Sequence, residues 1–305
     1  YTIVSHYNYG FSEEAGHWVM WPFFKDHTSY GAILAITIPM VVFLLFETKR
    51  LSLKYLLIFI LSFLLIALYF SYTRAAWLSI IGALFIYLLY YYKIKLKWLI
   101  SFGLISFIFI VLNFNNLSYL AEKNDAEHTT ENFSERIESM SNISSDASNL
   151  ERLNRWSCAI KLFQEKPLFG WGPGTYSFVY APFQQSKNRT IISTNNADGG
   201  NAHSEYLGPL AEQGILGLIW VLGLLGFCLH WGFRLQRVLI RAEDRLLAMG
   251  VFLGLMTYFV HGVLNNYLDT DKASALFWGY FAIMLALDLQ YSSLKKSNDS
   301  VKITI

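Results

Sequence analysis

The residues of this chain best suited to chemistry are one histidine and a few arginines. Asn201-Ala202-His203-Ser204-Glu205-Tyr206 runs into Gly214-Ile215-Leu216-Gly217 and an apolar stretch. With an ordinary pKa of about 6.5, an imidazole accepts a proton at neutral pH, as a general base must. A titratable group at the mouth of a membrane helix rarely stands there unused. Two readings are open for His203: a general base, or a side chain that caps the following helix or rests at the headgroup level. Ser204 is not an obvious nucleophile, because neighbouring side chains diverge and no strand–turn–helix elbow surrounds it.

Arg74, in Ser71-Tyr72-Thr73-Arg74-Ala75-Ala76-Trp77-Leu78, sits in a tight turn between two apolar runs. Its planar guanidinium suits phosphate oxygens and keeps its proton; snorkelling at the interface is the competing reading. Arg136, Arg152, Arg155 and Arg189 add positive charge to a long polar segment, and Arg152 and Arg155 share roughly one helix face. That segment also holds Glu122, Asp125, Glu127, Glu131, Glu135, Glu138, Asp146 and Glu151, so solvated ion pairing is the expected fate of most of these arginines. Lys25 and His27, just before the first apolar run, could also reach a site at the same face. Asp269-Thr270-Asp271 could bind a divalent ion beside a sugar phosphate, or could cap the helix before Lys272. There is no zinc-like His/Cys cluster, phosphate-binding glycine loop or dinucleotide fingerprint, so neither a resident metal nor a cofactor is expected.

The elements that must position these groups are membrane helices. The 305 residues are 54% hydrophobic and only 15% charged, which excludes an ordinary soluble domain. Apolar runs near 30–46, 54–70, 75–92, 97–113, 209–231, 246–264 and 272–289 predict seven spans, with Pro39 expected to kink the first. Lys49, Arg50, Lys54, Lys93, Lys95, Lys97, Arg234, Arg237, Arg241, Arg245, Lys295, Lys296 and Lys302 fall in alternate connections. The positive-inside rule makes those connections cytoplasmic. The expected layout is an extracytoplasmic segment 1–29, four spans in 30–113, a large outer loop 114–205, three spans in 206–290 and a cytoplasmic tail 291–305. Within the loop, Ser134 to Met140 reads as a short helix. Asn149 to Lys166 reads as an amphipathic one with Leu150, Leu153, Trp156, Ile160 and Phe163 on one face. Pro167 ends it, and Gly170-Trp171-Gly172-Pro173-Gly174 is a rigid turn. Cys158 and Cys228 lie in different settings, so no disulfide is expected. Tyr1 reads as the start of a fragment or of a processed chain.

These residues carry a resemblance. His203-Ser204, nine residues and then Gly214-Ile215-Leu216-Gly217 resembles the His-polar-x9-Gly-x-x-Gly signature of bacterial O-antigen ligases. Arg74-Ala75-Ala76-Trp77-Leu78 looks like their Arg-x3-Leu motif. Arg152 to Gly174, with Trp156 and the Pro167–Gly174 turn, is similar to the helix and turn of their large loop. Phe24-Lys25-Asp26-His27-Thr28-Ser29-Tyr30-Gly31 is similar to the segment before an earlier span. The chain is thus identified as a member of the O-antigen ligase and polymerase superfamily. The chain reads as an all-α helical membrane bundle, and the resemblance implies that it is the C-terminal portion of a roughly twelve-span protein. A second phosphate-contacting arginine of that family, upstream of the Arg-x3-Leu motif, has no clear match; Lys25 is the nearest cation.

The resemblance implies a polyprenyl-diphosphate-linked glycan as donor and an acceptor hydroxyl on lipid A-core, on a growing glycan or on protein. The surrounding partners are membrane lipids, and nucleic acid is not a partner. The implied place is the bacterial inner membrane, with the site facing the periplasm. His203 would take the acceptor proton, while Arg74, with Arg152 or Arg136 and Lys25, would hold the diphosphate. The reaction would invert the anomeric centre without a metal. Ligase, polymerase and protein O-oligosaccharyltransferase share this chemistry, and the presence of both signatures favours the ligase. A lipid-linked glycan transporter is the alternative from another class. Almost no charge lies within the spans and polar residues gather at one face, which favours an enzyme. The Gly214/Gly217 pair would let the helix behind His203 pack closely on a neighbour.

Overall fold

Within hydrocarbon a backbone must satisfy its own N–H and C=O groups, so long apolar runs become helices. The computed structural model describes residues 1–94, 101, 103, 105, 147–184 and 200–303, and among these it holds helices and no strand. In chain order the helices are α1 (Thr2–Tyr7), α2 (Glu13–Gly16), α3 (His27–Glu47), α4 (Leu51–Tyr69), α5 (Arg74–Tyr91), α6 (Ala147–Glu165), α7 (Tyr176–Val179), α8 (Leu207–Val238), α9 (Ala242–His261) and α10 (Asp271–Ile303). A 3-10 turn, Ala181–Phe183, follows α7. Among the described residues five helices are long and apolar enough to cross a membrane: α3, α4, α5, α8 and the part of α10 over Asp271–Ser293. They coincide with five of the seven apolar runs. The run at 246–264 forms α9, while 97–113, apart from residues 101, 103 and 105, lies outside the described residues, as does the Ser134–Met140 helix.

The chain divides into two units, residues 1–87 with 221–305, and residues 88–220. In the first unit α9 is the central helix. Ala248 through Phe259 is an unbroken buried run, as expected of a helix apolar on all sides. It packs against α3 and α10, and α3 also packs against α4. Gly254 makes the close approach to α3 possible: a Cβ there would lie 2.7 Å from the Ile36 carbonyl oxygen and 2.5 Å from the Tyr280 ring. Pro39 stands inside α3, which stays helical from His27 to Glu47. The segment before α3 folds onto the α4–α5 turn. His6 is buried, its Nε2 2.7 Å from the Ser12 carbonyl, with the Phe11, Phe70 and Tyr72 rings around it. The Tyr72 hydroxyl donates to the Phe11 carbonyl at 2.9 Å.

The second unit is built around α6. Its core is Cys158, Ala159, Leu162, Tyr176, Tyr180, Ala202 and Ala211, with Trp171, Val179, Phe183 and Leu207 packed against it. The buried side of α6 is not the apolar stripe the sequence suggests. Glu151, Asn154, Arg155, Cys158, Ala159 and Leu162 are buried, whereas Leu153, Trp156 and Phe163 are half-buried and Ile160 is exposed. A polar pair that neutralises itself can take a buried position that hydropathy assigns to solvent, and Glu151 and Arg155 do so.

Candidate functional site

His203 lies in the turn that leads into α8. It adopts a left-handed backbone, φ 48°, which is uncommon outside glycine and held only where surroundings fix it. Both of its backbone polar groups are held. Its N–H donates to Asn201 Oδ1 at 3.0 Å, and its carbonyl accepts from Trp156 Nε1 of α6 at 3.3 Å. The helix cap belongs to its neighbour: the Ser204 hydroxyl accepts from the Tyr206 and Leu207 N–H groups at 3.2 and 3.3 Å, and Ser204 is buried. The Ser204 hydroxyl thus meets two of the free N–H groups at the start of α8. The His203 residue itself is half-buried.

Beneath this turn lies the buried Arg155–Glu151 pair, Nε to Oε1 2.6 Å, with both side chains 5% exposed. The Arg155 guanidinium stacks on the Tyr180 ring at 4.1 Å, and the Arg155 carbonyl accepts from the Tyr176 hydroxyl at 2.7 Å. Gly200, φ 94°, crosses the guanidinium so closely that a Cβ would fall 2.1 Å from Nη1. Arg155 therefore supports the chain entering His203. It is not the solvated arginine expected from the sequence. Arg152, one turn earlier on α6, is half-buried. Burial pushes the Cys158 thiol up to about 11, so it stays protonated and poorly nucleophilic at neutral pH. Burial, aided by the Glu205 carboxylate, likewise pushes the Tyr206 phenol well upward.

The Gly214–Gly217 signature has a role the sequence did not disclose. Gly214, φ 67° and ψ −155°, breaks α8 into a short first piece and a long second one. Into that break docks the chain after α6. The Ile215 N–H donates to the Pro167 carbonyl at 2.8 Å, Trp171 N–H to the Ala211 carbonyl at 3.2 Å and Gly172 N–H to the Glu212 carbonyl at 2.7 Å. A Cβ on Gly214 would lie 2.4 Å from the Leu168 carbonyl oxygen, and one on Gly170 would lie 2.3 Å from the Glu212 carbonyl carbon. A Cβ on Gly217 would lie 2.4 Å from the Pro209 carbonyl oxygen. The close approach expected of these glycines is thus to the preceding helix piece and the loop. The Glu212 side chain, unremarked in the sequence, accepts from Gly174 and Tyr176 N–H, both at 2.9 Å, and so closes the glycine-rich turn.

Arg74 and Lys25 belong to the first unit. Arg74 is the first residue of α5 and is exposed. The turn before it is fixed by Thr73, whose hydroxyl donates to the His27 carbonyl at 2.9 Å. Lys25 is exposed, next to Asp26, which caps α3 by accepting from Ser29 N–H at 2.8 Å. The His27 ring stacks on His17 with centroids 4.2 Å apart. Arg136 lies outside the described residues, as does Arg189. At the same end of this unit the sequence reading missed a polar cluster after α9. Asn265 Nδ2 is 3.2 Å from His261 Nε2, Tyr267 N–H donates to the Tyr258 hydroxyl at 3.1 Å, and the Tyr267 and Thr28 hydroxyls share a short hydrogen bond. The His-Gly-Val-Leu-Asn-Asn-Tyr run, polar residues closing an apolar helix, was its available signal. Asp269 and Asp271 are exposed, and Asp271 opens α10, where a carboxylate meets the positive end of the helix dipole.

Five helices long and apolar enough to cross a membrane, in a chain whose described residues form helices and no strand, define a multi-pass helical membrane protein. A family model described as O-antigen ligase matches residues 59–222, a stretch that includes Arg74, α6, His203 and the Gly214–Gly217 signature. That match covers more than half of the 305 residues, and the chain belongs to the O-antigen ligase family. No curated protein matches it.

Proposed function

We propose that the protein is a glycosyltransferase that moves a glycan from a polyprenyl-diphosphate carrier to an acceptor hydroxyl, with lipid A-core as the acceptor and the outer face of the inner membrane as its place. His203 removes the acceptor proton onto its imidazole. The acceptor oxygen then bonds to the anomeric carbon from the side opposite the leaving group, inverting it. The bond from that carbon to the diphosphate oxygen breaks, and polyprenyl diphosphate leaves with the electron pair. Arg74, Arg136, Arg152 and Lys25 are the cations that hold the diphosphate and offset its growing charge, a task that needs no metal.

One observation carries this reading: within a chain of the O-antigen ligase family, both backbone groups of His203 are bonded while the capping task falls to Ser204. Such bracing is what a general base needs, since proton transfer requires placement to within a few tenths of an ångström. Arg74 opens α5, where the helix's positive end and the guanidinium favour the same anion. The test is transfer by purified protein from a labelled polyprenyl-diphosphate glycan to lipid A-core, to free glycan and to a Ser/Thr peptide in turn. Transfer to lipid A-core that is lost in folded His203→Ala and retained in EDTA is the expected result. Normal transfer by His203→Ala removes the base assignment, loss in EDTA revives a metal at Asp269 and Asp271, and transfer to another acceptor alone changes the subtype.

A further inference from the structure

Leu168 and Phe169, immediately after α6, are 64% and 75% exposed, although the backbone around them is firmly tied down. The Gly170 N–H donates to the Lys166 carbonyl at 3.0 Å, and the Pro167 carbonyl receives the Ile215 N–H of α8. Two adjacent large apolar side chains held rigidly in the open face something other than bulk water.

Their depth follows from α8. Past the break its second piece, residues 215–238, runs for about 36 Å at 1.5 Å per residue, enough to cross the hydrocarbon. Glu212 and Arg234 bound its stretch without Asp, Glu, Lys or Arg, and about 20 residues counted back from Arg234 end at Gly214. The helix break therefore stands where the chain crosses from hydrocarbon to headgroups. Leu168 touches that break, because its carbonyl oxygen fills the space that a Gly214 side chain would take. Just below, Leu216, Ile219 and Trp220 are exposed on α8, as lipid-facing residues are. Leu168 and Phe169 are exposed next to the same break. Flanking them, the Lys166 ammonium lies 3.9 Å over the Trp171 ring, the cation-and-indole chemistry of a membrane interface.

We infer that the Leu168–Phe169 tip is a membrane-seating wedge: both side chains enter the bilayer leaflet beside the Gly214 break and, through the Pro167–Ile215 hydrogen bond, hold the α6 unit at the lipid surface. The occupant of this apolar surface is bilayer lipid, the medium that the long apolar stretch of α8 starting at the same break calls for. The inference does not depend on the proposed glycan transfer.

Nitroxide labels at Phe169→Cys and Leu168→Cys, in the full chain with Cys158 and Cys228 replaced by Ala, test it in phosphatidylethanolamine/phosphatidylglycerol nanodiscs. Ile219→Cys on α8 serves as the lipid reference and Gln164→Cys, exposed on α6, as the water reference. The expected result is that labels at 168 and 169 collide with oxygen as at Ile219, and severalfold less with a water-soluble nickel chelate than at Gln164. Chelate collisions equal to those at Gln164 overturn the inference, and so does protection from both reagents, which would mean that protein covers the tip. A photoreactive benzoyl-phenylalanine at position 169 of the otherwise native chain gives a second measurement: lipid adducts support the wedge, and protein–protein adducts alone refute it.

Discussion

Replacing Gly214 by alanine probes the joint between the α6 unit and the membrane helix. Two costs can be worked from the geometry. At φ 67° and ψ −155° the backbone occupies a region used almost only by glycine, and holding another residue there costs about 1–3 kcal/mol. The new Cβ would also stand 2.4 Å from the Leu168 carbonyl oxygen, 2.5 Å from its carbon and 2.6 Å from the Pro167 carbonyl oxygen. These are backbone atoms, so relief means shifting the loop and weakening the Pro167–Ile215 hydrogen bond, about another 1–3 kcal/mol. Together the loss is about 2–6 kcal/mol, a drop of roughly 5–20 °C in unfolding midpoint. Gly223→Ala is the control, since a Cβ there meets nothing within 4 Å and alanine favours the helix by about 0.5–1 kcal/mol. The assay is thermal unfolding of purified protein in one detergent. If Gly214→Ala unfolds at the same temperature as Gly223→Ala, the break at Gly214 and the docking of the 167–172 segment into it are wrong.

Three further outcomes test the braced turn. Trp156→Phe keeps the aromatic ring but removes the indole N–H that reaches the His203 carbonyl; at about 1 kcal/mol for such a bond, kcat for glycan transfer falls about fivefold with KM little changed and the fold intact, and an unchanged kcat refutes the bracing. Arg155→Met strands the buried Glu151 and lowers stability by about 3–5 kcal/mol, whereas the double change with Glu151→Met recovers most of it; equal losses in denaturant unfolding would argue against the pair. The Cys158 thiol, pushed up to about 11, contributes stability that is present below the ordinary thiol pKa of about 8.5 and is lost as pH rises toward about 11. Native Cys158 should therefore resist maleimide at neutral pH and react promptly once the protein is unfolded; rapid native labelling contradicts its burial.

How legible the protein is in its sequence depends on the range of the forces involved. The helix expected over Asn149 to Lys166 appears as Ala147–Glu165 and stops before Pro167, because periodicity and a missing N–H act within a few residues. Its buried face was not legible. Leu153, Trp156, Ile160 and Phe163 outscore Glu151 and Arg155 on any hydropathy scale, yet the acidic and basic pair goes inside once each can cancel the other's charge beneath Tyr180 and Gly200. Glu212 was invisible for a similar reason: its partners are N–H groups 36 and 38 residues upstream.

By itself the sequence determined the membrane-spanning helical class and the family, because both are carried by local patterns: apolar runs long enough to cross lipid, and short motifs in fixed order. It also singled out His203 but left open whether that residue served chemistry or merely the helix end. Only the tertiary structure assigned the cap to Ser204, tied the His203 backbone to Trp156 and Asn201, and turned the Gly214 signature into a socket for a loop more than forty residues earlier. Those assignments rest on hydrogen bonds and close backbone approaches between distant segments, and such contacts exist only after the chain has folded.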